Sequence, residues 1–579
     1  MAFSFTSLTK AVLLLLVGLS FHNTVIQPGI ASCYLLNMGA LSLATVYWLR
    51  NKAGLLPLDG ISVPVFIGLV LTIVCTIASD TVASFPTNRW MVAATTYGGM
   101  YMVCFYLIRN QPAAFRFVSF LFFAFSILAS LQYVYIEFIQ KGPYDGEGFL
   151  ISKGLLSIYL LTAMFMVLHT VSYHRIYSLA VIGFTVLMLV LLGSRTAILA
   201  GLVSASVVFL LHHRKYVAFK YILPAIAFIL AIACLLYLYR PDSVKGRFLL
   251  WETGLSAMHL KNWVFGNGLG FIEYKLPELQ RVFLQTRPMP DRLLAGNVNT
   301  ILNEYLRLFI ELGIAGVILV GLVTYRVLRT FILQRHYFLA GAIVGLMVFS
   351  FSSYPFYAAQ IDLQAVALVA YAATIYQGKD TLHLGHLFSP NVARWGKVLI
   401  AISGLVYFVG VDFTYLRALY RWEDHRHTLQ VQYNEPAFRK VYNELSSQLK
   451  NEPGFLHDYA LKLQSLSYYE EATTLLVKVV QVQPSCQRYM LLGHNHEMLG
   501  HHEQAEEYYK KAIHTLPKSF LPKYLLFDLY RQAGEQDKAI DVGLAIARHP
   551  VKVTSSDVTR IKREVTDFLN HNYITYEED

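Results

Sequence analysis

Charged side chains are scarce in this sequence. Only 15% of its 579 residues are Asp, Glu, Lys or Arg, while 55% are hydrophobic. Soluble globular domains carry about 25% charged residues, so a purely soluble protein is excluded. Apolar runs dominate residues 1–417, whereas residues 418–579 are rich in Glu, Lys, His and Gln. The composition predicts an all-α fold: a polytopic membrane helix bundle in 1–417 with a large polar loop at 240–304, followed by a polar helical domain in 418–579.

Cysteine is also rare. Cys486 stands alone in the polar region, and the other four cysteines lie in apolar runs, at positions 33, 75, 104 and 234. No CxxC pair or disulfide framework is present, so we expect neither cysteine chemistry nor a metal, and no cofactor. The net charge of +11 comes from basic residues at the ends of apolar runs rather than from one polar face, which argues against nucleic acid as a partner.

Long apolar runs define the membrane region. Runs of the length needed to cross a bilayer, about 17 to 25 residues, begin near positions 11, 29, 61, 91, 117, 149, 177, 196, 220, 308, 337, 363 and 397. They predict about thirteen transmembrane helices. Residues 1–20 resemble a secretory signal peptide but lack a small-x-small cleavage site, so we interpret them as an uncleaved first span.

Basic residues mark every second connection between these runs. They include Arg50 and Lys52, Arg109 and Arg116, Arg214 and Lys215, and Arg326, Arg329 and Arg335. The positive-inside rule places these connections and the N-terminus in the cytoplasm. The loop 240–304 and the domain 418–579 are then expected on the outer side.

The polar C-terminal region contains a repeat. Gly534 and Ala539 follow Gly500 and Ala505 by 34 positions. The series Leu492, Gly493, Tyr509, Ala512 and Pro517 has the spacing of a tetratricopeptide helix pair. Three such units and a cap near 553–570 predict a short solenoid that binds a protein or peptide. The alternative is a set of ordinary amphipathic helices packed on the membrane domain.

The polar loop contains a glycine run, Gly266, Gly268 and Gly270. No strand-turn-helix unit surrounds it, so a nucleotide-binding interpretation is poor. These glycines indicate either a substrate loop, with a tight turn or a close backbone approach to a ligand, or a simple turn.

Two arginines are candidates for anion binding. Arg195 stands between two apolar runs, where an arginine needs an anionic partner, and Arg247 begins an amphipathic stretch of the loop. Together they would form a clamp suited to pyrophosphate. The alternative for Arg195 is an arginine that snorkels to the lipid headgroups.

The end of the loop contains the remaining candidates, Asn299, Asn303, Glu304 and Arg307. Glu304 and Arg307 are three positions apart, so they are neighbours on a helix. The carboxylate is a candidate base for an incoming hydroxyl. The alternative is a helix start that Asn303 and Glu304 cap.

These pieces resemble the superfamily of O-antigen ligases, O-antigen polymerases and bacterial protein O-oligosaccharyltransferases. The resemblance rests on Leu-Gly-Ser-Arg-Thr-Ala at 192–197, Gly-Arg-Phe-Leu-Leu-Trp at 246–251, the segment 262–274, and Asn-Glu-Tyr-Leu-Arg at 303–307 with its continuation to Gly316. Their order and topology match across 1–417.

The resemblance implies transfer of a glycan from a polyprenyl (undecaprenyl) diphosphate donor to an acceptor hydroxyl on the periplasmic side of a bacterial inner membrane. Arg195 and Arg247 would hold the pyrophosphate, and no metal would be needed. One position departs from the family pattern, because Leu302 stands where a histidine is usual. The role of that histidine would pass to Glu304, with Asn299 or Asn303 as orienting groups, unless His259 folds back over the site.

The acceptor stays open at this stage. The repeat region favours a protein acceptor over a glycolipid such as a lipid core, and a growing lipid-linked polysaccharide is the nearest alternative. From other classes, a lipid-linked sugar transporter and a non-catalytic scaffold remain as hypotheses.

Overall fold

A computed structural model describes residues 59–79, 89–142, 152–172, 174–213, 241–297, 299–377, 413–428, 435–551 and 555–572, with position 150 and a few positions between 39 and 46. Every regular element in these residues is a helix, and the ranges just given contain no strand. The predicted all-α fold class is confirmed. Contacts divide the chain into two compact units.

The first unit is a bundle of mostly apolar helices, drawn from Met1–Pro241, His259–Gly270 and Leu302–Glu423. Its helices are α1 (Ser62–Ile77), α2 (Arg89–Asn110), α3 (Ala113–Val134, continued by a π turn to Ile139), α4 (Lys153–Val171), α5 (Arg175–Leu192), α6 (Arg195–His212), α10 (Glu304–Leu333), α11 (Tyr337–Ser350) and α12 (Ala359–Ile375). Helix α4 is buried on almost all sides, as expected for a sequence without a polar face.

These bundle helices correspond to predicted spans. Six helices of the described part are long and apolar enough to cross a membrane: α2, α3, α4, α5, α6 and α10. The shorter apolar helices α1, α11 and α12 account for three more predicted spans. The predicted spans near 11, 220 and 397, most of the one near 29, and the interpretation of residues 1–20 lie outside the described residues.

Successive bundle helices run in alternating directions, which gives the bundle two ends. At the Glu304 end, where α10 begins, Leu269 N donates to Thr76 Oγ1 at 3.0 Å and Ser79 Oγ donates to Asn267 O at 2.6 Å. At the opposite end, Arg326 donates to Gly60 O. The basic connections around 109–116, 175 and 326–335 all lie at the Arg326 end, in agreement with the alternation in the sequence.

The second unit combines much of the polar loop with the C-terminal region, from Asp242–Met258, Phe271–Ile301 and Asp424–Asp579. The loop helices are α7 (Pro241–Leu255), α8 (Phe271–Gln285) and α9 (Met289–Leu294). Helix α13 (Phe413–Thr428) leads into α14 (Glu435–Ser446), α15 (Pro453–Ser465), α16 (Tyr469–Val482), α17 (Cys486–Met498), α18 (His502–Thr515), α19 (Leu521–Gln532), α20 (Gln536–Ala547) and α21 (Ser556–His571). The loop 240–304, predicted as part of the membrane domain, is thus divided between the two units.

Helices α15 to α20 form three successive hairpins. Their small residues are buried: Ala505, Ala512 and Ala539 have no exposed surface, and a Cβ on Gly493 would lie 2.5 Å from the Tyr509 ring. Gly500 and Gly534 both have φ +75° at the hairpin turns, a conformation that favours glycine. The 34-residue spacing therefore corresponds to stacked hairpins, while their assignment as tetratricopeptide repeats stays a prediction.

Candidate functional site

The start of α10 is built by three consecutive residues. Leu302 has φ +53°, a left-handed conformation that is costly for a residue with a branched side chain. Asn303 is the N-cap, and its Oδ1 accepts hydrogen bonds from Tyr305 N at 3.0 Å and Leu306 N at 3.1 Å. Glu304 is then the first helical residue. The predicted cap at Asn303 is present, and it commits the side-chain oxygen Oδ1 to the backbone amides of α10.

Arg307 is held between two buried carboxylates. Its Nε donates to Glu304 Oε2 at 2.6 Å, and its Nη1 donates to Glu311 Oε2 at 3.2 Å. The side chains of Glu304, Arg307 and Glu311 are 6%, 11% and 2% exposed. Because two carboxylates share one guanidinium here, the geometry of the cluster is tightly constrained.

The second carboxylate oxygen of Glu304, Oε1, differs from Oε2 in its surroundings. Glu304 Oε1 is buried and has no hydrogen-bond partner among the described residues, a state that carries a desolvation cost of about 1–3 kcal/mol or more for a charged group. Glu304 and Arg307 line one end of a cavity of about 440 Å³. The remaining walls are almost wholly apolar and come from α1, α10, α11 and α12, with Leu71, Leu312, Val323 and Val369 among them. Glu304 thus combines a buried, unpartnered oxygen with a position in the lining of an apolar cavity.

Aromatic and charged residues that the sequence reasoning missed surround this cluster. The Arg307 guanidinium lies 4.4 Å from the Trp90 ring centre and 5.7 Å from that of Tyr357, and Arg89 lies 5.1 Å and 5.4 Å from the same two rings. Asp362, in the first turn of α12, accepts a hydrogen bond from Tyr97 and is electrostatically coupled to Glu304 and Arg307. In the sequence, the Arg89-Trp90 pair at the start of an apolar run is the signal that could have indicated these neighbours of Arg307.

The glycine run fits into a break in α10. Gly313 has φ +65° and ψ −167°, which interrupts the helix. The amides of Ile314 and Ala315 donate instead to Trp263 O and Val264 O at 2.8 and 3.1 Å. In return, the freed carbonyls of α10 accept from the 266–270 segment: Asn267 N donates to Ile310 O at 3.0 Å and Gly268 N to Glu311 O at 2.9 Å. These four bonds give partners outside α10 to backbone groups beside the break, and a membrane segment requires such partners.

This exchange explains why glycine occupies these positions. A Cβ on Gly266 would lie 2.3 Å from the carbonyl carbon and oxygen of Glu311. Gly266, Gly268 and Gly270 have φ of +72°, +92° and +83°. The run thus forms a turn and approaches the backbone of α10 closely, while its contact with a ligand stays a prediction.

The other predicted residues lie in several places. Arg195 is the first residue of α6, beside the left-handed Gly193, and its side chain is exposed. Arg247 lies in α7 and is half-buried, while Asn299 is exposed; both belong to the second unit. His259 is exposed and precedes a short 3-10 turn, Leu260–Asn262. The structure brings Glu304, Arg307 and the glycine run together, and convergence of Arg195 with Arg247 stays a proposal.

Metal ligation has no candidate in this part of the chain. No group of three His, Cys, Asp or Glu side chains in the described ranges is arranged to hold a metal ion.

The fold and this site define a multi-pass membrane protein with a buried charged cluster at one end of its bundle. Residues 179–321, from α5 to the first half of α10, match the family model described as O-Antigen ligase. This match supports the O-antigen ligase superfamily for residues 179–321. That family supports glycan transfer of the ligase or polymerase type, with a lipid-linked glycan as donor. A comparison with curated proteins returned no match.

Proposed function

We propose that this protein transfers a glycan from a polyprenyl diphosphate to an acceptor hydroxyl, on the periplasmic face of the inner membrane. The observation that carries the proposal is the unpartnered Glu304 Oε1 beside an apolar cavity. An apolar cleft suits a lipid chain, and a carboxylate oxygen with a free lone pair suits a hydroxyl proton.

The reaction assigns a role to each group. The acceptor oxygen attacks the anomeric carbon and forms the new C–O bond, while the bond from that carbon to the phosphate oxygen breaks and its electron pair leaves with the diphosphate. Glu304 Oε1 accepts the proton of the attacking hydroxyl. Arg307 fixes the carboxylate through Oε2, which leaves Oε1 free for this step.

Arg195 and Arg247 would stabilise the charge that develops on the departing diphosphate. Asn303 Oδ1 is committed to the helix cap, so a contact of Asn303 with the acceptor would use its Nδ2. Asn299 would orient the acceptor from the loop. Leu302 would take no part in proton transfer, since its side chain carries no base.

The acceptor is proposed to be a protein. The stacked hairpins favour a protein acceptor because extended helical stacks usually bind peptides or proteins. A second lipid-linked glycan is the alternative acceptor and would make the protein a polymerase.

Purified full-length protein incubated with a polyprenyl-diphosphate glycan tests these possibilities. A serine- and threonine-containing periplasmic protein is added to one reaction, a lipid core to a second, and nothing to a third. Glycosylated protein supports the proposal, modified core indicates a ligase, and a ladder without added acceptor indicates a polymerase. No product in any reaction would contradict catalysis and favour a scaffold or a transporter.

A further inference from the structure

The loop helix α8 (Phe271–Gln285) packs against the hairpin helix α18 (His502–Thr515) within the second unit. Three polar side chains of α8 reach the C-terminal region. Lys275 Nζ donates to Gln481 O at 2.6 Å, Gln280 Nε2 donates to Thr515 O at 3.0 Å, and Tyr489 OH donates to Glu278 Oε2 at 2.9 Å. These three hydrogen bonds thus link the loop helix α8 to three different helices of the hairpin stack.

Two of the accepting carbonyls are equivalent positions of the repeat. Gln481 and Thr515 are 34 residues apart and lie in the last turns of α16 and α18. The last carbonyls of a helix have no partner inside it, and the negative end of the helix dipole attracts a donor or a cation. Lys275 and Gln280 are five residues apart, about 7.5 Å along a helix. The loop helix therefore lies across the ends of two successive hairpins.

The centre of the contact is buried, whereas the bond from Lys275 to Gln481 is exposed. Gln280 and Tyr489 are 3% and 5% exposed. Burial opposes ionisation of Glu278, but hydrogen bonds from Arg281 and Tyr489 outweigh it and lower the pKa of that carboxyl. Arg281 pairs with Glu278 at 2.5 Å.

Two side chains of the loop helices bind the backbone at the end of the loop. Gln280 Nε2 also donates to Gly296 O at 3.1 Å. Trp251 Nε1 donates to Ile301 O at 2.9 Å, and Ile301 precedes Asn303 and Glu304 by only two and three residues. Holding α8 thereby constrains the end of the loop at Gly296, and α7 holds it again at Ile301.

We propose that the edge formed by the C-terminal ends of α16 and α18 is a helix-docking surface whose occupant is the protein's own loop helix α8, and that glycan transfer depends on this docking. The dependence on transfer rests on the proposed function; the docking itself does not. The hairpin stack is then a positioning element for the loop as well as a surface for a partner.

Gln280 offers a matched set of variants in the full-length protein in detergent. Gln280→Glu places a carboxylate against the carbonyls of Gly296 and Thr515, Gln280→Met keeps the shape without the donors, and Tyr489→Phe removes one hydroxyl. Tyr524→Phe is the control, because Tyr524 makes a similar bond, 2.6 Å to Glu564, away from the loop.

Limited trypsin digestion of the Arg292–Leu293 bond in α9 measures loop opening independently of activity. We expect cleavage roughly tenfold faster in Gln280→Glu, a smaller increase in Gln280→Met and Tyr489→Phe, as loss of one or two hydrogen bonds predicts, and no change in Tyr524→Phe. Transfer should fall in the same order.

Unchanged cleavage in Gln280→Glu would overturn the docking. Faster cleavage with full transfer would overturn the dependence of transfer on it. If wild-type protein transfers no glycan, the proposed function fails, while the cleavage rates still decide the docking.

Discussion

Two oxygens of one carboxylate have different surroundings at Glu304. Oε2 is bonded to Arg307, whereas Oε1 is buried without a partner in the described part of the chain. Proteins seldom leave a buried acceptor unpaired, because the missing hydrogen bond costs free energy. This difference is the physical basis for assigning the proton-accepting role to Oε1.

Arg307 is expected to be structurally essential. Arg307→Ala leaves Glu304 and Glu311 buried without their cation, and breaking such a pair costs about 3–5 kcal/mol. The melting temperature in detergent should therefore fall sharply. Arg175→Ala, which removes an exposed arginine, should change stability by no more than about 0.5 kcal/mol. Equal melting temperatures for the two variants would refute the cluster's structural role.

Lys523 predicts a pH dependence of the hairpin region. It is 7% exposed, and burial lowers its pKa from 10.5 to about 8. Between these values the unfolded chain holds a proton that the folded chain has released, so stability rises with pH through this window. The full shift corresponds to about 3 kcal/mol.

The urea midpoint of the hairpin region in the full-length chain, measured by pulse proteolysis at pH 7.5 and 9.5, checks this expectation. Wild type should be more stable at the higher pH, and Lys523→Met should show no such gain. A flat wild-type profile would mean that Lys523 stays charged in the folded state.

At the scale of elements, the break in α10 and the glycine run form one structure. Backbone groups freed at Gly313 pair with residues 263–268, and Gly266 allows the two backbones to touch. The break also places Glu311 and the residues before it on a helix segment separate from the rest of α10.

Gly266→Ala should therefore destabilise the bundle. The positive φ alone costs about 1–3 kcal/mol, and the Cβ would overlap the Glu311 carbonyl. Gly321→Ala in α10 is the matched control, because a Cβ there meets nothing within 4 Å. Yield and monodispersity on gel filtration should be lost only in Gly266→Ala; similar behaviour of both variants would show that the contact is unimportant.

The sequence predicted the features that depend on local pattern. Apolar runs predicted the positions of the nine bundle helices described, and the three-residue spacing predicted the Glu304–Arg307 pair. The sequence did not predict the break at Gly313, because a lone glycine within an apolar run is also tolerated in a continuous helix. Trp90, Tyr357 and Asp362 lie on other helices, so only tertiary packing brings them to Arg307.

At the scale of the whole molecule, the polar loop contributes to both compact units. Residues 259–270 belong to the bundle, and 242–258 and 271–301 belong with the C-terminal hairpins. A prediction based on composition drew one boundary near 417, because composition detects polarity but not which segment a loop packs against.

The proposed orientation places the Glu304 end outside. Leu260→Cys, at a position 84% exposed, should react in intact spheroplasts with a membrane-impermeant maleimide. Ala113→Cys, exposed at the Arg326 end, should react only after lysis. The reverse pattern would invert the topology.

The rate of transfer by Glu304→Gln tests the central claim most directly. Glutamine can still accept the Arg307 hydrogen bond, but it is a far weaker base than a carboxylate. We predict a turnover about 10²–10⁴-fold lower, the usual contribution of a general base, with unchanged donor binding. Glu137→Gln, which removes the negative charge of the 2.6 Å pair with Lys153, should transfer at the wild-type rate. A wild-type rate in Glu304→Gln would contradict the account.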